Sequence, residues 1–236
     1  MSKICFLNQP AGLGDIIFCL KIGFFYKAKG YDVIWPVSKV YLETIKEHII
    51  APINFVDTNS EIALKYKEVK EPYYSDDLVI LPLDGCTRFI KNKKIMEAKY
   101  EAAKVEKFDD WNDYFYSRRD YFKETNLYHN VLGLEEDEKY CLVSKNYASP
   151  PDYLKFPMSI NTSLKIVELD FKPSFTLFDW CKVLENASEI YMIDSSINFL
   201  IDKLRMKTDN LYLYSRRGSD FSEIDYLFKT KYHFCT

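Results

Sequence analysis

Short runs of apolar, β-branched and aromatic residues recur along this chain, and between them the apolar residues take up helical spacing. That alternation is the pattern of βαβ units, in which strands buried on both faces build a parallel sheet and each crossover carries a helix. It constrains the fold more than any other feature: the class is α/β, with helices covering both faces of a parallel sheet.

The alternation occurs twice. In the first half, strands are expected at 3–8, 32–35, 53–56 and 78–81, with helices at 15–29 and 41–48. The helix at 15–29 is apolar on nearly every side, so it belongs deep in a core. A lysine-rich helical stretch over 91–107 follows, then a long helix over 109–130. Trp111, Tyr114, Phe115, Phe122 and Val131 suit one side of that helix, and Gly133 stops it. The acidic residues 135–138 read as a linker. Strands resume at 140–143, 165–169, 189–193 and 210–214, the first two separated by a loop marked by Ser149-Pro150-Pro151. Thr176 with Asp179 three positions on is a helix-start pattern, opening a helix whose stripe is Leu177, Trp180, Cys181 and Leu184. A further helix is expected at 196–204. A chain of 236 residues has room for two domains of the usual ~100–150 residues, and the expected division is 1–133 and 139–236.

Composition narrows the function. With 47% hydrophobic and 28% charged residues the chain reads as globular and soluble. A net charge of −3, from 32 basic and 35 acidic residues, makes nucleic acid an unfavourable partner, because neutralising a phosphate backbone requires excess positive charge. The longest apolar stretch, 16–26, is broken by Lys21 and falls short of the ~20 residues that span a bilayer. No secretory signal pattern opens the sequence. Six cysteines without any C-x-x-C spacing read as reduced core thiols, which points to the cytoplasm. Three histidines far apart in sequence give a zinc site little to draw on, and no metal or other cofactor is expected.

Two segments carry the chemistry. The chain has only seven glycines, against a usual share of ~7%, yet two fall within Gly12-Leu13-Gly14-Asp15, between the first strand and its helix. Glycine lets backbone approach a ligand, and the helix start behind it offers free N–H groups. The same residues also fit a tight βα turn with Asp15 as an ordinary cap. A third glycine and an acidic end to the second strand are both missing, which disfavours a dinucleotide oxidoreductase. The second segment, Asp194-Ser195-Ser196, follows a strand and opens a helix, where hydroxyls and amides suit diphosphate oxygens. A plain serine cap fits it too.

Together the G-x-G-D and D-S-S segments resemble glycosyltransferases of the GT-B fold, in particular bacterial heptosyltransferases and related sugar transferases. The stretch from Trp180 to Ala187 leads into the second segment much as in that family. The sequence departs from the family pattern at Phe199, where heptosyltransferases usually carry histidine, and it is shorter than a usual member. The resemblance implies two Rossmann-like domains facing across a cleft. The first would bind a saccharide acceptor, and the second a nucleotide sugar that acts as co-substrate. It implies Asp15 as the base that takes the acceptor proton. Lys145, Ser195 and Ser196 would hold the donor phosphates, with Arg216 within reach of them, and Glu168 or Asp194 would meet the ribose or sugar. Asp84, beyond the strand at 78–81, would join Gly12 and Gly14 at the acceptor, although Asp84-Gly85 also fits a simple turn. Exposed-loop readings apply equally to Lys145 and Arg216. Two alternatives stand beside this one. One is a non-catalytic nucleotide- or sugar-binding module of the same fold. The other is a glycosyltransferase acting on modified DNA bases, for which the 91–107 helix would supply a basic groove.

Overall fold

The computed structural model describes residues 3–147 and 154–236. Two compact units, Met1–Arg118 and Arg119–Thr236, each contain a five-stranded sheet.

The first unit runs β1 (Lys3–Asn8), α1 (Leu13–Ala28), β2 (Tyr31–Val37), α2 (Lys39–His48), β3 (Asn54–Asp57), α3 (Glu61–Tyr66), β4 (Tyr73–Tyr74), β5 (Leu78–Pro82) and α4 (Ile95–Ala102). The sheet order is β3-β2-β1-β5-β4, parallel except for β4, which pairs antiparallel with β5. Central β1 is buried by its neighbours, with Cys5 opposite Val33 on one side and Val79 on the other. Helix α1 is embedded as its composition requires: Ile16, Phe18, Cys19, Leu20 and Ile22 are fully buried. Its outer turns are tied down by hydroxyls, from Tyr100 to the Phe18 carbonyl at 2.7 Å and from Tyr26 to the Ala103 carbonyl at 3.0 Å.

The expected helix over 109–130 does not form as one element. In its place a 3-10 turn at Trp111–Tyr114 is followed by a bridge between Ser117 and Ile49, then α5 (Tyr121–Asn126), which widens into a further turn at Leu127–Val131. Asp120 begins the new helix by accepting from the N–H groups of Phe122 and Lys123 at 3.1 and 3.0 Å, as a helix cap does. Phe122 is 83% exposed, so the expected apolar stripe is not assembled. Residues 119–133 pack in the second unit, where Arg119 binds Glu124 and Glu185. The compact units therefore divide between Arg118 and Arg119, before the linker at 135–138.

The second unit continues with β6 (Tyr140–Ser144), a small antiparallel pair β7 (Asn146–Tyr147) and β8 (Leu154–Lys155), β9 (Lys165–Glu168), α6 (Cys181–Asn186), β10 (Glu189–Ile193), α7 (Ser196–Ile201), β11 (Leu211–Tyr214) and β12 (His233–Cys235). The sheet order is β12-β11-β10-β6-β9, parallel throughout. Ser149-Pro150-Pro151 lie outside the described residues. Thr176 and Asp179 form the capping box expected of them, opening a 3-10 turn that leads into α6. Between β8 and β9 an extended strap takes the place of a crossover helix. Its Phe156, Met158, Ile160 and Leu164 pack on Cys141, Val143, Tyr191, Ile193 and Tyr214. The Tyr191 hydroxyl donates to the Asn161 carbonyl at 3.0 Å and that of Tyr214 to the Ser159 carbonyl. All six cysteines are free thiols, five of them buried. No helix among the described residues is long and apolar enough to cross a membrane.

Candidate active site

In the first sheet the order reverses beside β1, which leads to β2 and β3 on one side while β5 lies on the other. In the second, β6 leads to β9 on one side while β10 and β11 lie on the other. Ligands of open α/β sheets bind outside the carboxyl ends of strands at such reversals. Gly12, Gly14 and Asp15 follow β1, and Asp84 follows β5. Lys145 follows β6, Asp194, Ser195 and Ser196 follow β10, Glu168 ends β9, and Arg216 follows β11. Every candidate named from sequence thus lies at the carboxyl edge of its own sheet.

At the first edge, Gly12 has φ 79° and ψ 90° and its carbonyl accepts from the Ile16 amide at 2.9 Å. A Cβ on Gly12 would lie 2.5 Å from Asp15 Oδ2, so only glycine leaves the carboxylate where it stands. The Asp15 side chain is 34% exposed. The Asp84 amide donates to the Asn8 carbonyl at 3.0 Å, joining the exits of β5 and β1. The Asp84 carboxylate faces solvent, and Gly85 takes the left-handed φ of 71° that an Asp-Gly turn requires.

The residue that sequence reasoning missed is Lys99. Its Nζ lies 2.7 Å from Asp15 Oδ1 and also donates to Gln9 Oε1, and the residue is only 3% exposed. Gln9 is fixed in turn: its Nε2 donates to the Ala11 carbonyl at 2.7 Å, and its carbonyl accepts from Trp35 Nε1 at 2.9 Å. Burial acts against the Lys99 charge, while the Asp15 carboxylate favours it by its charge and its hydrogen bond, and the ammonium is held above the ordinary lysine range. Burial likewise pushes the Cys19 thiol up to about 12, so it stays protonated at neutral pH. In sequence Lys99 is one of six lysines in 91–107. The available signal was its neighbours, since Ala98 and Ala102 mark the buried face of α4. Other lysines of that run are also engaged: Lys91 with the Thr87 carbonyl, Lys93 with Glu101, and Lys104 over the Tyr74 ring.

At the second edge, Lys145 Nζ meets Glu168 Oε1 at 3.2 Å. Asp194 is buried, and its Oδ1 accepts from both the backbone N–H and Nε of Arg216 at 2.9 Å. Ser195 heads α7 in a reciprocal capping box with Asn198, whose Oδ1 accepts from the Ser195 amide at 2.9 Å. Ser196, next in line, is half-buried. Phe199 stacks edge-on against Phe228, ring centroids 5.0 Å apart, and is part of the core. Among the described residues no group of three histidine, cysteine, aspartate or glutamate side chains gathers as a metal site.

No protein-family model matches the sequence, and no curated protein matches it. Solved structures match in shape. The glycosyl transferase family 9 protein from Veillonella parvula aligns with a TM-score of 0.57 at 9% identity, covering 99% of this chain and 87% of that one. The E. coli heptosyltransferase WaaC with ADP-2-deoxy-2-fluoro heptose aligns with a TM-score of 0.50 at 11% identity, covering 98% and 92%. The chain therefore has the α/β fold of the GT-B glycosyltransferases, with two parallel-sheet regions of Rossmann-like topology. At these identities the likeness is one of fold.

Proposed function

We propose that the chain is a glycosyltransferase that moves a sugar from a nucleotide diphosphate donor to a hydroxyl of a saccharide or glycoconjugate acceptor. In this reading it works in the cytoplasm and without a metal ion or other cofactor. Asp15 takes the acceptor proton, the acceptor oxygen bonds to the anomeric carbon, and the bond from that carbon to the diphosphate breaks. Gly12, Gly14 and Asp84 line the acceptor side. Lys145, Ser196 and Arg216 take the charge that develops on the departing diphosphate, with the Ser195 hydroxyl beside them. Glu168 and Asp194, freed from their cations, face the ribose or sugar. For Glu168, about half exposed, the exchange costs little, because exposed ion pairs are worth only ~0–1 kcal/mol; buried Asp194 keeps the Arg216 backbone N–H as a donor when the guanidinium turns away.

The observation that carries this reading is the carboxylate of Asp15: it is one-third exposed at the strand-order reversal beside a glycine loop, and it is held by a buried ammonium. The test is nucleotide release from ADP, UDP, GDP, CMP and dTDP sugars in the presence of saccharide acceptors, ADP sugars first. Asp15→Asn should lower turnover by ~100-fold or more, the usual contribution of a general base, with donor affinity retained. Turnover unchanged by Asp15→Asn would remove it as the base.

The non-catalytic binding module is favoured by two observations, the core packing of Phe199 and the use of Ser195 as a helix cap. It predicts that a nucleotide sugar raises the melting temperature while no free nucleotide accumulates.

A further inference from the structure

We propose that Lys99 is the positioning residue of Asp15: its ammonium holds Oδ1, so that Oδ2 alone meets the acceptor hydroxyl. This deepens the reading above and rests on it. A carboxylate at the start of a helix is ordinarily free to turn about its side-chain bonds. Here Oδ1 is tied to Lys99 at 2.7 Å and Oδ2 lies over the one backbone position that has no Cβ to displace it. Lys99 has little freedom of its own. It is 3% exposed, Gln9 Oε1 holds it from the other side, and the next residue on α4, Tyr100, is bonded to α1 through the Phe18 carbonyl. The chain of contacts from Trp35 through Gln9 and Lys99 to Asp15 thus ties the carboxylate to β2 and α4.

A packing role alone does not explain a lysine here. Burying an ammonium costs several kcal/mol before any partner is found, and an apolar side chain would fill the same space more cheaply. What only the cation supplies is a fixed direction for a carboxylate that is itself open to solvent. Catalysis by a base depends steeply on such placement, and an error of about 1 Å lowers a rate by about 100-fold.

The experiment compares turnover of the full chain with that of Lys99→Met, Asp15→Asn and the double variant, with folding verified by circular dichroism and thermal melting. Lys99→Met should lose ~100-fold in kcat while its donor KM stays within about twofold, because a group that acts only on the reacting geometry leaves ground-state binding alone. The double variant should be no slower than Asp15→Asn, since the two residues act as one unit. In Lys99→Ala, added propylamine should restore part of the lost rate in proportion to its concentration. A Lys99→Met enzyme with full kcat overturns the proposal, and so does a loss of equal size in the Asp15→Asn background. If Lys99→Met does not fold, Lys99→Gln serves the same comparison. Failure of the functional reading itself is a separate result: the unaltered chain then releases no nucleotide from any donor.

Discussion

Two glycines with nearly the same backbone torsion allow the geometry around Asp15 to be isolated. Gly12 has φ 79° and Gly30 has φ 84°, but a Cβ on Gly30 would meet nothing within 4 Å, whereas one on Gly12 would lie 2.5 Å from Asp15 Oδ2. Gly30→Ala therefore carries only the backbone cost of a left-handed L-residue, about 1–2 kcal/mol. Gly12→Ala carries the same cost, and its methyl drives the carboxylate back by about 1 Å to reach ordinary contact. That displacement stretches the 2.7 Å pair with Lys99 and leaves a buried ammonium short of its partner. Complete loss of such a partner costs ~3–5 kcal/mol. Asp15 is partly solvated and only displaced, so a total of about 2–4 kcal/mol is expected for Gly12→Ala. With an unfolding entropy of about 2.1 cal/mol/K per residue, the unit Met1–Arg118 should lose about 4–8 °C in Tm for Gly30→Ala and about 8–16 °C for Gly12→Ala. Under the proposed function turnover separates them further: Gly30→Ala keeps the full rate, and Gly12→Ala loses about 100-fold because the proposed base is displaced. Calorimetry and nucleotide-release kinetics on the two variants read both quantities. Equal Tm shifts with equal turnover would refute the argument that Gly12 exists to seat the carboxylate.

Arg119 binds Glu124 through Nε at 2.8 Å and Nη2, and Glu185 through Nη1 at 2.9 Å, with Glu124 only 1% exposed. Arg119→Ala strands a buried carboxylate and should cost about 3–5 kcal/mol, most of it recovered by adding Glu124→Leu. A wild-type urea midpoint for Arg119→Ala would disprove this. Burial also raises the phenols of Tyr26, Tyr100 and Tyr140 above their ordinary range. Because the folded state keeps protons that the unfolded chain releases near pH ~10, this contribution to stability is fully present below that pH. It falls as pH rises from there toward the folded-state values. Melting temperatures across pH 8–12, with tyrosinate absorbance at 295 nm, check it. Simple titration of every tyrosine near pH 10 in the folded protein would count against it.

How much of this was legible in the sequence depends on how local each cause is. Strands β1 and β10 fall where their apolar runs place them, because a central parallel strand is buried on both faces and needs no partner to declare itself. Two-residue β4 has too short a pattern to read. Its place at the sheet edge comes from Tyr74, whose hydroxyl bonds the distant Ala102 carbonyl. The helix expected over 109–130 fails for a similar reason: its apolar spacing is real, but Ser117 is drawn into a bridge with Ile49 and Asp120 caps a new start. The candidate residues at both sheet edges could be placed from sequence because each ends a strand or lies in the segment that leaves one. Lys99 was harder to place, since its partners Gln9 and Asp15 lie more than 80 positions away and its one local signal, the neighbouring Ala98 and Ala102, marks a buried face without naming a partner.

The strap over the second sheet trades one kind of security for another. A crossover helix satisfies its own amides and can leave a sheet face as an intact cylinder, whereas an extended segment must borrow hydrogen-bond donors from what it covers. Here two of the donors are the phenols of Tyr191 and Tyr214, set on the adjacent strands β10 and β11 that lead to Asp194 and Arg216. Loosening the strap would therefore first be felt by the strands that carry the Asp194–Arg216 pair, so the chain that links β6 to β9 doubles as a fastening for the candidate donor loops.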